Sequence, residues 1–328
     1  MLRTYQKITF TSKTDGSVLV FNFVNSVEVS TSYETLTDTA VIKMPKRVNV
    51  DGKPITGDDV NSIFKRGDKV KIELGYFPNL KTVFEGYITT VNVKSPIIIE
   101  CDDEMYVLKN TPIAKYSKVA PSLTEFLDAI VPDTITRNET LEIAKMGTLT
   151  FSNMSVCEIF DVIKKEYGIY FYFVDSVLNV GNPSNASDTE TVRFIFENNI
   201  IDDTSLKFQR EQDVRLKIKA ISMNYDNEKL EKIVGDNDGA LRTYHYYNTS
   251  LADMEKFANL LLTKNKFTGY RGDMLTFGEP LIRHGDHAEL KSYKYPAKDG
   301  TYQVKSVTRT LNVTDGYKQS VELDIKVA

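Results

Sequence analysis

Over residues 1–110, apolar and polar residues alternate in short stretches separated by turn-forming residues. This alternation predicts β-strands, because successive side chains of a strand point to opposite faces of the sheet. Many short strands in succession are typical of a sandwich or a barrel. The predicted strands span residues 5–11, 18–24, 27–31, 39–44, 69–75, 83–93 and 96–101. A polar segment at 46–62 interrupts them, and its length indicates a functional loop.

Between residues 111 and 182 the spacing of apolar residues becomes helical. The pattern Ser-x-x-Glu, which is a capping box, occurs at 122–125 and again at 155–158. In such a box the Ser hydroxyl and the Glu carboxylate bind free backbone donors at the start of a helix. Gly168 is the predicted left-handed cap of the second helix, and a hairpin follows at 169–180. The segment 111–182 is therefore predicted to be an α/β insert.

After the insert, residues 182–189 are polar and rich in turn formers, which predicts a linker. Strands are expected at 192–196 and 214–225, and a helix at 251–266 begins with Ser250 as its N-cap. The predicted domains are therefore residues 1–110, 111–182 and 183–328.

One face of the strand at 214–225 is basic, because Arg215, Lys217 and Lys219 alternate with apolar residues. This pattern has two interpretations. The basic face lines a channel or meets an acidic neighbouring subunit, or it is a solvated outer face.

One supersecondary pattern occurs twice in the chain. In each copy a Gly-Asp turn precedes an alternating strand, and a later strand carries two apolar residues three positions apart. These apolar pairs are Ile88 with Val91 and Val304 with Val307. The duplicated structural turns are Gly67, Asp68, Gly285 and Asp286. Such self-similarity predicts one β-unit used twice, and three chains with two similar units each would approximate a six-fold ring.

Composition narrows the possible functions. A chain of 328 residues suggests two or three domains, and a net charge of -4 gives no general attraction to nucleic acid or to an anionic membrane. The sequence has neither a long apolar stretch nor a signal-peptide pattern, so we expect a protein that is made and kept in a cytosol. Its two cysteines, Cys101 and Cys157, are expected to be buried thiols.

Several polar clusters have a structural interpretation beside a functional one. His284, Asp286 and His287 lack a third metal ligand at a readable spacing, and we interpret them as turn and surface residues. The acidic run 102–104 suggests either a carboxylate pair for sugar hydrolysis or an exposed loop, and we favour the loop. No phosphate-binding loop or nucleophile elbow is present. The sequence therefore predicts no catalytic, metal-binding or cofactor-binding residues.

Two short motifs are expected to be turns. The Arg-Gly-Asp tripeptides at 66–68 and 271–273 are each expected to precede a strand, where Gly permits a tight turn and Asp binds the backbone. Residues 236–239 match half of a calcium-binding loop but lack the Glu at its twelfth position, so we expect a hairpin turn.

A succession of short motifs resembles a known family. The C-terminal part contains Phe277-Gly278-Glu279-Pro280, the Gly285-Asp286 turn and Gly300-x-Tyr302-x-Val304-x-x-Val307. The N-terminal part contains Thr37-Asp38-Thr39-Ala40 and Phe84-x-Gly86-x-Ile88-x-x-Val91. This order is similar to the late control protein D family, the hub proteins of contractile phage tails, whose relatives include the hub part of type VI secretion spikes.

The resemblance implies a mainly β protein with an α/β insert and two tube-like β-barrel domains related by internal duplication. It implies a homotrimer whose six tube-like domains form a pseudo-hexameric ring, an adaptor between the hexameric tail tube and a trimeric spike. The expected partners are the tail tube protein, a separate spike protein and other baseplate proteins, with DNA or the tape measure protein only as passing cargo. The expected location is the virion tail or injection-machine baseplate, assembled in the bacterial cytoplasm.

Two other functions are compatible with the sequence. A carbohydrate-binding or adhesin-type β module would use exposed aromatic side chains among the 18 tyrosines. A tail-associated cell-wall hydrolase would use carboxylates such as Asp102 and Glu104.

Overall fold

The computed structural model describes residues 3–45, 48–50, 53–55, 60, 63–181 and 189–327. The predicted linker at 182–189, except residue 189, and much of the predicted loop at 46–62 lie outside the described residues. Within that loop, two short strands pair with each other at 48–50 and 53–55.

The protein is mainly β, as predicted. The helices are α1 (Met105–Lys109), α2 (Leu123–Ile130), α3 (Val156–Tyr167) and α4 (Leu251–Asn265). The strands before α2 are β1 (Thr4–Thr11), β2 (Val18–Phe21), β3 (Ser26–Ser32), β4 (Thr39–Met44), β5 (Val48–Val50), β6 (Lys53–Ile55), β7 (Lys69–Tyr76), β8 (Asn79–Asn92), β9 (Ile97–Asp102) and β10 (Pro112–Lys118). The next strands are β11 (Arg137–Glu139), β12 (Leu149–Ser155), β13 (Phe171–Val174), β14 (Val177–Val180), β15 (Thr191–Ile195), β16 (Ile200–Asp202) and β17 (Lys207–Gln209). The last are β18 (Leu216–Met223), β19 (Lys229–Gly235), β20 (Ala240–Tyr247), β21 (Gly269–Phe277), β22 (His287–Lys291), β23 (Gly300–Asn312) and β24 (Gly316–Lys326).

Within the described residues, one 14-stranded sheet contains both copies of the duplicated β-unit. We call strands β1–β4 and β7–β9 the N-terminal unit, and β15–β17 and β21–β24 the C-terminal unit. In the N-terminal unit neighbouring strands follow the order β1-β7-β8-β9-β4-β3, and in the C-terminal unit the order is β15-β22-β23-β24-β21 followed by β16 and β17. Apart from β2, which pairs with β1 and has no counterpart, and the opposite directions of β1 and β15, the two orders correspond, which confirms the internal duplication.

A β-bulge at the same place in both units explains the apolar spacing in the sequence. Ile88 is opposite Cys101 and Thr90 is opposite Glu100, so Thr89 is an extra residue in β8. In β23 the same shift falls between Val304 and Ser306. Residues three apart in a regular strand face opposite sides, and one extra residue returns the second to the first side. The bulge therefore directs both apolar residues of each pair toward the core.

The insert is built around α2 and α3. The capping boxes of both helices are present, with Ser122 and Glu125 in α2 and Ser155 and Glu158 in α3. Gly168 ends α3 in the left-handed conformation, at φ 68°. The apolar faces of the two helices pack with the strands β10, β12, β13 and β14 into one buried cluster, which also takes in Met105 and Leu108 of α1. The predicted hairpin is formed by β13 and β14.

Strands β18, β19 and β20 form a separate sheet that packs on α4. Ile218 and Ala220 of β18 meet Met254 and Ala258 of the helix in a small buried cluster. Ser250 caps the helix through a bond from the Asp253 backbone N–H.

Residues 236–239 are not a hairpin turn, contrary to the expectation from the sequence. The strands β19 and β20 lie on opposite sides of β18, so this segment crosses over the end of that strand. Asp236 holds the crossing in place, because its backbone N–H donates to the Leu216 carbonyl (2.9 Å) and its carboxylate accepts from the Leu216 N–H (3.0 Å).

The two Arg-Gly-Asp tripeptides occupy different environments. Residues 66–68 form the expected turn before β7. Residues 271–273 lie inside β21, so the expectation of a turn before a strand is wrong there. Gly272 has φ +109°, and a Cβ at this position would lie 2.2 Å from the Ser205 carbonyl oxygen. The motif is thus part of a strand that another backbone segment approaches closely.

Candidate assembly surface

The two Gly-Asp turns have the same hydrogen bonds. In the N-terminal unit the Gly67 N–H donates to the Ile88 carbonyl (2.8 Å), and the Ile88 N–H donates to the Asp68 carbonyl (2.9 Å). In the C-terminal unit Gly285, Val304 and Asp286 repeat both bonds at 2.8 Å. Gly67 has φ +88° and Gly285 has φ +87°, a backbone conformation that glycine adopts without a steric cost. Each turn thereby ties the start of one strand to the bulged strand beside it.

Each turn also uses its carboxylate as a double acceptor. Asp68 accepts from the Lys65 N–H (2.8 Å) and from the Lys13 N–H (3.0 Å). Asp286 accepts from the Arg283 N–H (2.9 Å) and from the Glu190 N–H (3.2 Å). Lys13 follows β1, whereas Glu190 precedes β15, in accord with the antiparallel pairing of β1 with β7 and the parallel pairing of β15 with β22. The same side-chain contact thus anchors flanking strands that run in opposite directions.

The two units join through strands β3 and β23. All of β3, from Ser26 to Ser32, pairs antiparallel with Asn312 to Ser306 of β23. Side chains support this pairing, because the Ser30 and Thr308 hydroxyls lie 3.4 Å apart and the Thr31 hydroxyl donates to the Val307 carbonyl (3.3 Å). We call this contact the internal joint. It makes one continuous sheet from the two units.

The β23–β24 hairpin extends beyond its own unit into the core of the other. Leu311 and Tyr317, at its tip, are buried in the cluster formed by the N-terminal unit. The Tyr76 hydroxyl of β7 donates to the Tyr317 carbonyl (2.7 Å). The N-terminal unit therefore depends on residues of the C-terminal unit for part of its core.

A polar cluster lies where the two units and the insert meet. It surrounds a cavity of about 310 Å³ whose lining includes Asp38, Asp103, His284 and Arg309. The His284 Nε2 lies 3.5 Å from an Asp38 carboxylate oxygen, and Arg309 donates to the Ile282 carbonyl. The insert reaches this cavity through Asp175, which pairs with Arg283 at 2.7 Å. Charged groups therefore connect all three parts of the chain at this point.

This cluster corrects two expectations from the sequence. Asp103 is only 6% exposed and is not in an exposed loop, since Asp102 ends β9 and Glu104 caps α1. Burial, together with the nearby charge of Asp38, raises the pKa of Asp103 above its usual range. His284 and Asp286 lie in a turn but are buried rather than at the surface. Burial likewise raises the pKa of Asp286.

The insert also contacts the turn after β3 directly. Lys164 of α3 lies 3.8 Å from the Glu34 carboxylate, and its ammonium donates to the Glu34 carbonyl. Tyr33, next to Glu34, donates its hydroxyl to Asp324 of β24 (2.8 Å), and burial raises the pKa of this tyrosine. These contacts fix the insert against the sheet on one side of the internal joint.

The basic residues predicted as an interface or channel strand lie outside the continuous sheet. Lys219 pairs with Glu231 at 2.8 Å, Arg215 pairs with Asp238 at 3.0 Å, and Lys217 donates to the Asn237 carbonyl at 2.7 Å. The charges of Arg215 and Lys219 are therefore compensated locally by carboxylates, whereas Lys217 binds a neutral carbonyl oxygen. A role in a subunit interface or a channel stays a prediction.

The face of the continuous sheet opposite the cores is polar. On β3, β23 and β24 hydroxyl residues alternate with buried ones; they are Ser26, Ser30, Ser306, Thr308, Thr310 and Ser320. Acidic residues lie among them, and two of these hold neighbouring hydroxyls: Glu322 accepts from Ser306 (2.7 Å) and Asp273 accepts from Ser320 (3.3 Å). The sequence did not single out this face. It follows from the alternation only once the order of the strands is known.

Three further features of the described residues concern metal ligands, thiols and the length of the helices. No group of three His, Cys, Asp or Glu side chains in this part of the chain could hold a metal ion. Cys101 is buried and Cys157 is half-buried, and both are free thiols. Among the described residues, no helix is both long and apolar enough to cross a membrane.

The fold is similar to that of solved phage tail proteins. The tail protein from Neisseria meningitidis matches with a TM-score of 0.62 and 12% identity, over 99% of this chain and 96% of that one. A 43 kDa prophage tail protein from Shewanella oneidensis matches with a TM-score of 0.60 and 14% identity, over 97% of each chain. These structures share the fold along almost the whole chain.

A third similar structure comes from a secretion machine. It is a component of the type VI secretion system of E. coli, described as similar to the T4 bacteriophage tail proteins gp27 and gp5. Its TM-score is 0.55 and its identity is 9%, over 92% of this chain and 73% of that one. No protein-family model matches the chain, and no curated protein matches it in sequence. At these identities the comparisons establish the fold alone.

Proposed function

We propose that the protein is a structural, non-enzymatic hub in the baseplate of a phage tail or a related contractile injection machine, of the late control protein D type. The single observation that carries this proposal is the duplicated β-unit with its internal joint. A chain with two equivalent units offers two similar surfaces, so that three chains approximate six-fold symmetry. The shared fold with tail proteins and with a type VI secretion component supports the same assignment.

In this proposal the protein is a homotrimeric adaptor between a hexameric tail tube and a trimeric spike. Its domains are residues 1–110, 111–182 and 183–328, of which the first and third form the ring. The insert occurs once per chain and decorates the ring with three-fold symmetry. The polar face of the continuous sheet lines the pore, through which DNA and the tape measure protein pass as cargo. Its hydroxyl and acidic side chains lie among lysines such as Lys43 and Lys318, so this mixture gives no strong attraction for the phosphates of DNA.

Measuring the mass of the purified full-length chain by light scattering tests the trimer. One chain has a mass of 37.2 kDa, and we expect a measured mass three times as large. Averaged electron images down the particle axis should then show a central pore surrounded by six similar lobes and three peripheral ones. A particle without a pore, or with two-fold symmetry, would contradict the adaptor.

The non-enzymatic part of the proposal has its own test. Purified protein and the Glu104→Gln variant are incubated with peptidoglycan, and turbidity is followed. We expect no clearing by either protein, because Asp102, the other carboxylate of the suggested pair, is held by Lys109 at 2.7 Å. Clearing by the wild-type protein that Glu104→Gln abolishes would establish the hydrolase alternative.

A further inference from the structure

The internal joint occupies a defined place in the C-terminal unit. The first part of β23, from Gly300 to Gln303, pairs with β22. After the Gly285-Asp286 turn ends that pairing, the same edge of β23 continues and pairs with β3 from Ser306 onward. The joint therefore begins where the Gly-Asp turn leaves an edge of the bulged strand uncovered.

The N-terminal unit has the equivalent edge. Strand β8 pairs with β7 up to Tyr87, and the Gly67-Asp68 turn then ends that pairing. Asn92 of β8 lies opposite Ile98 of β9, just as Thr308 of β23 lies opposite Ser320 of β24. Counting from the shared bulge, Thr90, Val91 and Asn92 thus occupy the positions of Ser306, Val307 and Thr308. Within the described residues, this edge of β8 has no strand beside it after the turn.

The C-terminal unit has the equivalent of β3. Ser30 of β3 lies opposite Thr39 of β4, and Lys207 of β17 lies opposite Arg271 of β21. Thr39 and Arg271 are themselves equivalent. Thr39 lies opposite Asp102 of β9, and the register of β21 places Arg271 opposite Asp324 of β24. Asp102 and Asp324 occupy the same position counted from the bulge. Lys207 therefore occupies the position of Ser30. In the described part of the chain β17 pairs with β21 alone, whereas β3 pairs on both sides.

Side-chain exposure agrees with two uncovered edges. Val307, which β3 covers, is 0% exposed, while its equivalent Val91 is only half-buried. Val93, just beyond the end of β8, is 38% exposed, and Phe208 of β17 is 37% exposed. These apolar groups lie on the two edges that have no partner strand. Unpaired strand edges are natural templates for pairing with another chain.

We propose that β17 of one copy of this chain pairs antiparallel with the end of β8 in a second copy, repeating the internal joint between molecules. In this external joint Lys207 lies opposite Asn92, Phe208 opposite Val91, and Gln209 opposite Thr90. The inference rests on the proposed homotrimer and adds the surfaces and the register that hold it together. The partner is therefore a second copy of this chain.

The geometry of the external joint favours a closed ring. Each chain contributes one β8 edge and one β17 edge, so the contact is head-to-tail and closes when the rotation between units divides a full turn. Because the internal and the external joint share one register, each rotates one β-unit relative to the next by a similar angle. Three chains then supply the alternating joints of a six-unit ring.

Disulfide cross-linking tests the external joint. At the internal joint the Ser30 and Thr308 side chains lie 3.4 Å apart, so cysteines at their equivalents, Lys207 and Asn92, should be within bonding distance across the external joint. We expect the Asn92→Cys/Lys207→Cys variant, under mild oxidation, to give covalent dimers and cyclic trimers on a non-reducing gel. Reductant should return both to monomer.

Matched variants control for chance contact and for misfolding. Ser30→Cys/Thr308→Cys should form a disulfide within one chain, which shows that the fold and the oxidation conditions permit the bond. Asn92→Cys/Phe208→Cys places the thiols on opposite faces of the sheet and should give no cross-link. Each single-cysteine variant measures the background from Cys101 and Cys157.

The outcomes separate this inference from the proposed function. If the protein has the mass of a trimer and the internal control forms, but Asn92→Cys/Lys207→Cys gives no bond between chains, the external joint is wrong and the trimer stands. If the protein is a monomer and gives no cross-link between chains, both are wrong. A ladder that extends past trimer would overturn the closed ring.

Discussion

Gly285 shows how much a single backbone conformation contributes to this fold. Its φ of +87° is disfavoured for any residue with a Cβ, yet a Cβ there would have no atom within 4 Å. We therefore expect Gly285→Ala to lower the free energy of unfolding by about 1–2 kcal/mol through backbone strain alone. Urea denaturation at equilibrium measures this loss of unfolding free energy. Gly285→Asn is the control and should cost less, because Asn tolerates positive φ better; equal losses would contradict the strain argument.

Asp103 should make stability depend on pH. Its pKa is raised in the folded protein, mainly by burial, so the folded state loses stability as pH rises from the ordinary value of about 4 toward the raised value. Asp103→Asn removes that loss. We expect the variant to gain on the wild type as pH increases from about 4 to about 8, by about 1.4 kcal/mol for each unit by which the pKa is raised.

Thermal unfolding at a series of pH values measures this gain. Asp203→Asn, at an exposed loop position, is the control for the loss of one carboxylate. A difference between Asp103→Asn and the wild type that is constant with pH would show that the carboxyl does not titrate in this range.

Burial of single polar residues is what the sequence predicted least well. Asp103, His284 and Asp286 read as loop and turn residues because polar side chains usually face solvent. Asp103 and His284 are buried because three parts of the chain, far apart in sequence, meet around them. Asp286 is buried because its own turn and the backbone just before β15 enclose it. Contacts of that kind leave no periodic signal, whereas the capping residues Ser122 and Ser155 were predicted correctly because a cap is a local interaction.

At the scale of the elements, local sequence patterns predicted which helices and strands exist and where they end better than they predicted which strands pair. Strand β4 was predicted at its observed residues, and α3 begins and ends at its predicted caps. The spacing of Ile88 and Val91 was recognised as a repeat, but its cause is a bulge that only the register of β8 with β9 shows. The segment 236–239 was mistaken for a hairpin because a tight turn looks the same whether the strands pair or pass on either side of a third.

Gly239 should be essential to that crossing. A Cβ at this position would lie 2.5–2.8 Å from three backbone atoms of Leu216. We expect Gly239→Ala to destabilise the sheet of β18–β20 by about 1–3 kcal/mol, because the backbone must shift to make room. Hydrogen exchange of the β18 and β20 amides measures this destabilisation of the sheet.

The matched control is Gly147→Ala. There the nearest atom to an added Cβ is the Asn227 side-chain oxygen at 3.1 Å, and that side chain can move. This variant should exchange like the wild type. Equal protection in both variants would mean that the crossing tolerates a side chain.

For the molecule as a whole, the duplication was visible in the sequence and the continuity of the sheet was not. Turn residues and apolar pairs repeat along the chain, so a unit used twice could be predicted. The internal joint pairs β3 with β23, strands about 280 residues apart, and it depends on the order of the strands in space. The polar face of the sheet was not predicted either, because it too depends on the order of the strands in space. The basic strand at Arg215–Lys219 was singled out because its charges are close together in the sequence.

The stability of the N-terminal unit should depend on a residue of the C-terminal unit. Leu311 belongs to the chain of the C-terminal unit but is buried in the core of the N-terminal unit. We expect Leu311→Ala to cost about 2–5 kcal/mol and to reduce hydrogen-exchange protection in β1, β3 and β4. Leu290→Ala is the control, because Leu290 packs only in the cluster of the C-terminal unit. If Leu311→Ala left the N-terminal unit fully protected, the shared core would contribute little.

The internal joint also has a kinetic consequence. A ring of six separate units would form only after repeated bimolecular encounters, each slowed by dilution. Because β3 and β23 belong to one polypeptide, every second contact is made during folding, at an effective concentration set by the chain rather than by the cell. In the proposed ring only two encounters between molecules remain, because the third external joint closes within the assembled trimer, so the rate of assembly should fall far less steeply when the protein is scarce.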